Sequence, residues 1–235
     1  MRFLLAGLLI SAVLDNDEDA EKHIVAMEKK LAGAKSLRVS FEAKVEGLPS
    51  FGNLKATLAL AEGNKLHLDG AFVNEDETNK WKLVSNGMRI KAQGSIVKGV
   101  RAGEGFGKAP SDKLTDNYRS CLAHGGYLMV GFYISSVKPK EIWPVFRASD
   151  FKSKGKEKIG KREAHVVVCK LTPMQKVEKD RVRWSETVWL DAQTNLPLKR
   201  VVTYTFDGKK ATFTETYKEF AVDPKLDPDI FVLPK

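Results

Sequence analysis

Apolar positions along the chain follow two periods in turn. Between Asp17 and Lys35, Ala20, Ile24, Met27 and Leu31 recur at spacings of four, three and four, which predicts an amphipathic helix, with Gly33 as its stop. From Leu37 the period is two. Leu37, Val39, Phe41, Ala43 and Val45 alternate with Arg38, Ser40, Glu42, Lys44 and Glu46, the pattern of a strand with one wet face. Leu54, Ala56, Leu58 and Leu60 repeat it against Lys55 and Thr57, and Leu66, Leu68 and Phe72 against Lys65, His67 and Asp69, with Gly63 and Asn64 as the intervening turn. Lys80 to Ser85 and Met88 to Ala92 form a further pair around Asn86 and Gly87, residues that accept the positive φ of a tight turn. The first half is therefore expected to be an antiparallel meander.

The middle breaks this rhythm. Gly99 to Pro110 reads as a glycine-rich loop, and Ser111 or Asp112 can cap a helix with the stripe Leu114, Tyr118, Cys121 and Leu122. After Gly125 and Gly126, Tyr127 to Ile134 is apolar on nearly every side and is read as a second helical stretch, closed by Pro139. A basic stretch follows, with Lys152, Lys154, Lys156, Lys158, Lys161 and Arg162 around Gly155 and Gly160, before strand resumes at Ala164 to Leu171. Arg181 to Asp191, Leu196 to Phe206 and Lys210 to Phe220 complete the strand signals. Strands that follow one another without βαβ alternation exclude a parallel sheet; one mainly β (α+β) domain over residues 17–235, built on a large curved antiparallel sheet, is expected.

Composition adds a compartment. Arg2 precedes an apolar run from Phe3 to Leu14, too short to span a bilayer but suited to an export signal over residues 1–14, ahead of the acidic Asp15 to Asp19. A buried first element is the alternative reading of that run. Across the 235 residues, 39 Lys and Arg against 30 Asp and Glu give a net charge of +9 that is spread along the chain, so nucleic acid is not indicated. The two cysteines exclude a disulfide-rich scaffold; Cys121 and Cys169 are either a pair or two buried thiols.

No motif points to catalysis or to a metal or other cofactor. His23, His67, His124 and His165 fall in four separate elements with no ligand spacing between them. Gly103, Gly105, Gly107 and Lys108 suggest a phosphate loop only superficially, because Ala109 stands where a Ser or Thr is needed. No serine has a nucleophile-elbow setting, and neither cysteine has a base in its own element.

Several segments, taken in order, resemble the LolA-like family of periplasmic lipoprotein carriers and sorting-protein relatives. They are Leu31 followed by Ser36, Leu37, Ser40, Phe41 and Lys44; Leu83, Val84, Ser85, Asn86 and Gly87; Trp189, Leu190 and Asp191 with Thr194, Leu196, Pro197 and Lys199; and Asp229, Phe231, Leu233 and Pro234. The resemblance implies a half-open β-barrel covered by helices, with an apolar cavity that accepts acyl chains. Where many carriers have a basic residue and a proline, this chain has Ala61, Glu62 and Gly63, and the segment from Gly99 to Lys161 has no counterpart by eye.

The expected function is that of an exported, non-enzymatic, monomeric carrier of lipid or acylated protein. A protein-interaction or envelope-stress domain with a self-filled interior is the alternative. Cavity-lining candidates are Val39, Phe41, Leu58, Leu60, Leu66, Leu68, Leu83, Ile90, Val166, Val168, Trp184 and Tyr204. A helical lid over about residues 111–137 would hinge at Gly125 and Gly126 and offer Leu128, Met129, Phe132 and Tyr133 to the interior. Lys152, Lys154, Lys156 and Lys158 would form an exposed hairpin able to meet an anionic membrane, or simply a solvated loop.

Overall fold

The computed structural model describes residues 17–47, 53–63, 65–73, 78–94, 146–173, 182–206 and 208–235. The export signal at 1–14, the loop at 99–110 and the lid with Leu128, Met129, Phe132 and Tyr133 lie outside the described residues. Helix α1 (Asp17–Ala32) opens the described chain, with Asp17, Glu18 and Asp19 in its first turn and Lys29 and Lys30 in its last, a distribution that complements the helix dipole. Ten strands follow: β1 (Ser36–Glu46), β2 (Asn53–Ala61), β3 (Lys65–Val73), β4 (Thr78–Asn86), β5 (Ile90–Gly94), β6 (Phe146–Ile159), β7 (Arg162–Pro173), β8 (Val182–Asp191), β9 (Pro197–Phe206) and β10 (Lys209–Val222). A short 3-10 helix spans Pro228–Phe231.

All ten strands lie in one sheet, in the order β5-β4-β3-β2-β1-β10-β9-β8-β7-β6, and every pairing is antiparallel. Two five-stranded meanders therefore run outward from a central seam, where β1 pairs with β10. The sheet stays open, with β5 and β6 as its edges.

Alternation sets the faces. Val39, Leu58, Leu68 and Leu83 sit opposite one another across β1 to β4, and so do Phe41, Ala56, Gly70 and Trp81 in the next inward row. Small residues in the second row make room for the large ones: a Cβ on Gly70 would stand 2.3 Å from the Trp81 indole, so only glycine lets that ring cross β3. The inward side chains join Ala20, Ile24, Met27 and Leu31 of α1, together with Val167, Cys169, Leu171, Val188 and Leu190, in one buried core. At the seam β10 carries one extra residue, so that Phe41 faces Tyr217 while Ser40 faces Glu219. This bulge keeps Tyr217 and Phe220 together against the core.

Helix α1 packs on β6 and β7. His23 stacks on His165 with ring centroids 3.9 Å apart and bonds Asn195 Oδ1 at 2.9 Å, and Lys30 donates to the Thr194 carbonyl. The β8–β9 turn that receives the helix is held by Asp191, whose Oδ1 accepts from Gln193 N, Thr194 N and the Thr194 hydroxyl, and whose Oδ2 accepts from Arg162. Burial opposes the charge on Asp191, but the bonds from Thr194 and Arg162 outweigh it and hold the carboxyl below its usual range.

At the C-terminus, Asp223 adopts φ 55 and accepts from the backbone of Lys35 and Ser36, turning the chain toward the outer face. There the 3-10 helix lies on β3 and β4, with Phe231 buried. His67 bonds both Asp69 and the Ile230 carbonyl, which gives it a structural role in fixing this helix.

Two alternatives are decided. The basic stretch is a hairpin and not a loop: it is the second half of the 14-residue edge strand β6, which turns at Gly160 into β7. Asp150 (φ 56) and Gly155 (φ 80) each lie in a bulge of that strand. Also, Cys169 is a free, buried thiol rather than half of a disulfide.

Candidate functional site

Seven of the expected cavity residues, Val39, Phe41, Leu58, Leu60, Leu66, Leu68 and Leu83, come together in the buried core. Trp184 and Tyr204 pack at its margin, their rings 4.4 Å apart. Ile90 pairs with Ser85 at the start of β5. Val166 and Val168 fall on the opposite face, because it is Val167, Cys169 and Leu171 that join the core, and successive strand residues point to opposite sides. Val166 is instead covered on the outer face, where it pairs with Trp189, itself held by a bond to Glu157 and by Lys199 at 4.6 Å from its ring.

The core is fully buried at its centre and only partly covered toward its ends, with Phe220 and Val222 half-buried at the end where β1 begins. Leu58 and Leu60 have no exposed surface, while Val45, Phe72, Ala148, Trp184 and Tyr204 are half-buried. These five residues share one end of the sheet, the end where β1 and β3 finish and β4 and β8 begin. Both Gly94, where β5 ends, and Phe146, where β6 begins, belong to that same end. This end is an apolar rim beside the buried core.

Sequence reading missed what lies inside the second meander. Glu186, Arg200 and Glu215 are each about 1% exposed and occupy inward positions of β8, β9 and β10. Arg200 Nε stands 3.0 Å from Glu186 Oε1 and 3.6 Å from Glu215 Oε2. Tyr217 donates its hydroxyl to Glu215, and the Cys169 thiol approaches Glu186 at 3.9 Å. Burial, opposed by Arg200 and reinforced by Glu215, pushes the Glu186 carboxyl up to about 7; burial likewise pushes the Cys169 thiol far above its ordinary range, leaving it neutral and inert. A signal existed: in each of these strands one charged residue interrupts an apolar stripe, as in Trp184, Glu186, Val188 and Leu190.

The outer face differs in kind. An open groove of about 580 Å³ crosses it over β1 to β5 and β10, walled by Lys55, Lys80, Lys82, Lys218, Glu42 and Asp69. Glu42 is shared by Lys218 at 2.6 Å and Lys55 at 3.5 Å, and the Lys218 bond, with help from both lysines' charge, keeps its carboxyl below the usual range. On β6, Lys152, Lys154, Lys156 and Lys158 are all exposed, but the bulges divide them. Lys152 pairs with Val168 on the outer side, whereas Lys156 and Lys158 pair with His165 and Glu163 on the side that carries α1.

Among the described residues no group of His, Cys, Asp and Glu could hold a metal ion, and no helix is long and apolar enough to cross a membrane.

An open, all-antiparallel sheet with an N-terminal helix on one face defines a LolA-like fold. In comparisons with solved structures, LprF from Mycobacterium bovis shares it over 91% of this chain and 99% of its own, at 11% identity and a TM-score of 0.51. The lipoprotein LppX from Mycobacterium tuberculosis matches at 13% identity over 90% and 100% of the two chains, with a TM-score of 0.48. A LolA superfamily protein from Nitrosomonas europaea matches at 8% identity over 91% and 97%, with a TM-score of 0.31. No family model matches the chain, and no curated protein matches it in sequence.

Proposed function

We propose that the protein is an exported, non-enzymatic carrier that binds the acyl chains of a lipid or an acylated protein against the inner face of its half-barrel. The observation that carries this reading is the half-buried rim of Phe72, Trp184, Tyr204 and Val45, with a tilted Trp184–Tyr204 ring pair, at one end of a core whose centre is fully buried. Apolar side chains at the mouth of an apolar interior offer a tail-first path. Each methylene that passes them contributes about 0.8 kcal/mol, so a chain of a dozen carbons outweighs a modest cost of displaced packing. The shared fold with LprF is consistent with this reading.

Native mass spectrometry of protein from the exporting host, before and after lipid extraction, tests it. Bound mass in the lipid range that extraction removes is the expected result, and Trp184→Ala with Tyr204→Ala should reduce it. A second reading rests on the full burial of Leu58, Leu60 and Leu66 by the protein's own side chains: the interior is self-filled, and the domain acts through its surface on another protein. Protein that stays free of lipid at every stage would favour that reading.

A further inference from the structure

Among the described residues, charge on the inner face of β8, β9 and β10 does not balance. Two carboxylates, Glu186 and Glu215, meet one guanidinium, Arg200, and all three side chains are almost wholly removed from water. Among the described residues, Cys169 from β7, opposite Glu186, and Tyr217 from β10, bonded to Glu215, face the cluster; Tyr204 of β9 lies on the next inward row, and α1, packed on β7, carries the buried Glu28. β1 presents Phe41, Ala43 and Val45 there, and β9 presents Val202 beside Glu186. None of these supplies a second cation. Glu215 Oε1 has no hydrogen-bond partner among the described residues, and an acceptor left so in a dry interior is unfavourable.

Buried surplus charge can be cancelled by a counter-ion or by a proton. The side chains of the cluster are almost wholly shut off from solvent, so an ion or an amine would have to displace their neighbours, whereas a proton needs no space. Resting on the carrier reading above, we propose that Glu186, Arg200 and Glu215 form a proton-binding site inside the half-barrel. With one carboxyl protonated the inner face is tightly packed; loss of that proton loosens it and admits an acyl chain past the rim. An ionised carboxylate is better solvated in an opened interior than in a closed one, which couples proton release to opening. The raised carboxyl of Glu186 agrees in direction. Its sign follows: the stability this group contributes is complete below the ordinary carboxyl range and is lost as pH rises through about 7.

The test measures the thermal midpoint and the Kd for BODIPY-labelled palmitate from about pH 5 to about pH 8 on wild type, Glu186→Gln and Glu215→Gln. For wild type, the midpoint should fall as pH rises while the probe binds about tenfold more tightly. Glu186→Gln should hold both readouts near their acidic values throughout. Glu215→Gln removes the like charge that raises Glu186, so its transition should move to lower pH. A wild-type midpoint that does not fall, or a fall that Glu186→Gln retains, overturns the proton site. Equal probe affinity at every pH beside a falling midpoint overturns the coupling and leaves the carrier intact. No probe binding at any pH, with the midpoint still falling and Glu186→Gln abolishing the fall, overturns the carrier reading and the coupling while upholding the proton site.

Discussion

The two meanders of the sheet are built alike and filled differently. Inside β1 to β4 the inward rows are apolar apart from the buried Ser85, with Gly70 and Ala56 yielding space to Trp81 and Phe41. Inside β8 to β10 the same inward positions carry Glu186, Arg200 and Glu215, no less buried. Burial in the first region follows from residue type alone. In the second it has to be offset by pairing, since a lone buried charge is far more costly than a mismatched apolar side chain. One fold thus contains a part that tolerates loss of a methyl group gradually and a part whose members depend on one another.

The sharpest break of this contrast is Arg200→Ala. It leaves both buried carboxylates without their guanidinium and should cost about 3 to 5 kcal/mol by urea unfolding at neutral pH. A cost below about 1 kcal/mol would mean that the second interior is as wet as the outer face. Leu58→Ala, at the centre of the apolar region, should cost about 3 kcal/mol through lost transfer energy and a cavity, with no dependence on pH.

Gly70→Ala should cost about 1 to 3 kcal/mol by overpacking against the Trp81 ring, and combination with Trp81→Leu should recover much of that loss; strict additivity of the two changes would show that the contact carries nothing. The smallest effect belongs to charge reversal at Lys154, Lys156 and Lys158, where all three side chains are exposed and Lys156 pairs with the exposed Glu163. Stability should change by less than about 0.5 kcal/mol. Because the bulges put Lys152 on the side opposite Lys156 and Lys158, the triple reversal leaves part of the basic strand intact, and sedimentation with anionic vesicles at low salt should weaken only modestly; complete loss of vesicle binding would show that the reversed lysines carry the whole contact.

The bulges also explain where strand reading stopped short. Asp150 and Gly155 at positive φ each shift the phase of β6, and although its lysines recur at every second position, Ser153, Gly155 and Glu157 between them form no apolar stripe, so the run reads as a loop. As it stands, β6 is an edge strand whose lysines discourage a further strand from pairing there. Val166 and Val168 illustrate a different failure. The run Val166, Val167, Val168 is apolar on both parities, and alternation cannot choose between faces when both are covered. Trp189 covers one of them from β8, a contact that spans 23 positions of sequence.

Local pattern was sufficient for much of this molecule. The period-two stripes of β1 to β4, the period of α1 and the turn chemistry at Asn86–Gly87 determined the elements, their antiparallel order and seven residues of the core, because each depends only on which face of its own strand or helix is apolar. Tertiary structure alone decided that the two meanders join through β1 and β10, that α1 rests on β6 and β7 with His23 on His165, and that three charged residues from three strands converge on one buried point. Those outcomes depend on pairings between segments far apart in the chain, where many partners satisfy the same local pattern and only the packing of the whole sheet selects among them.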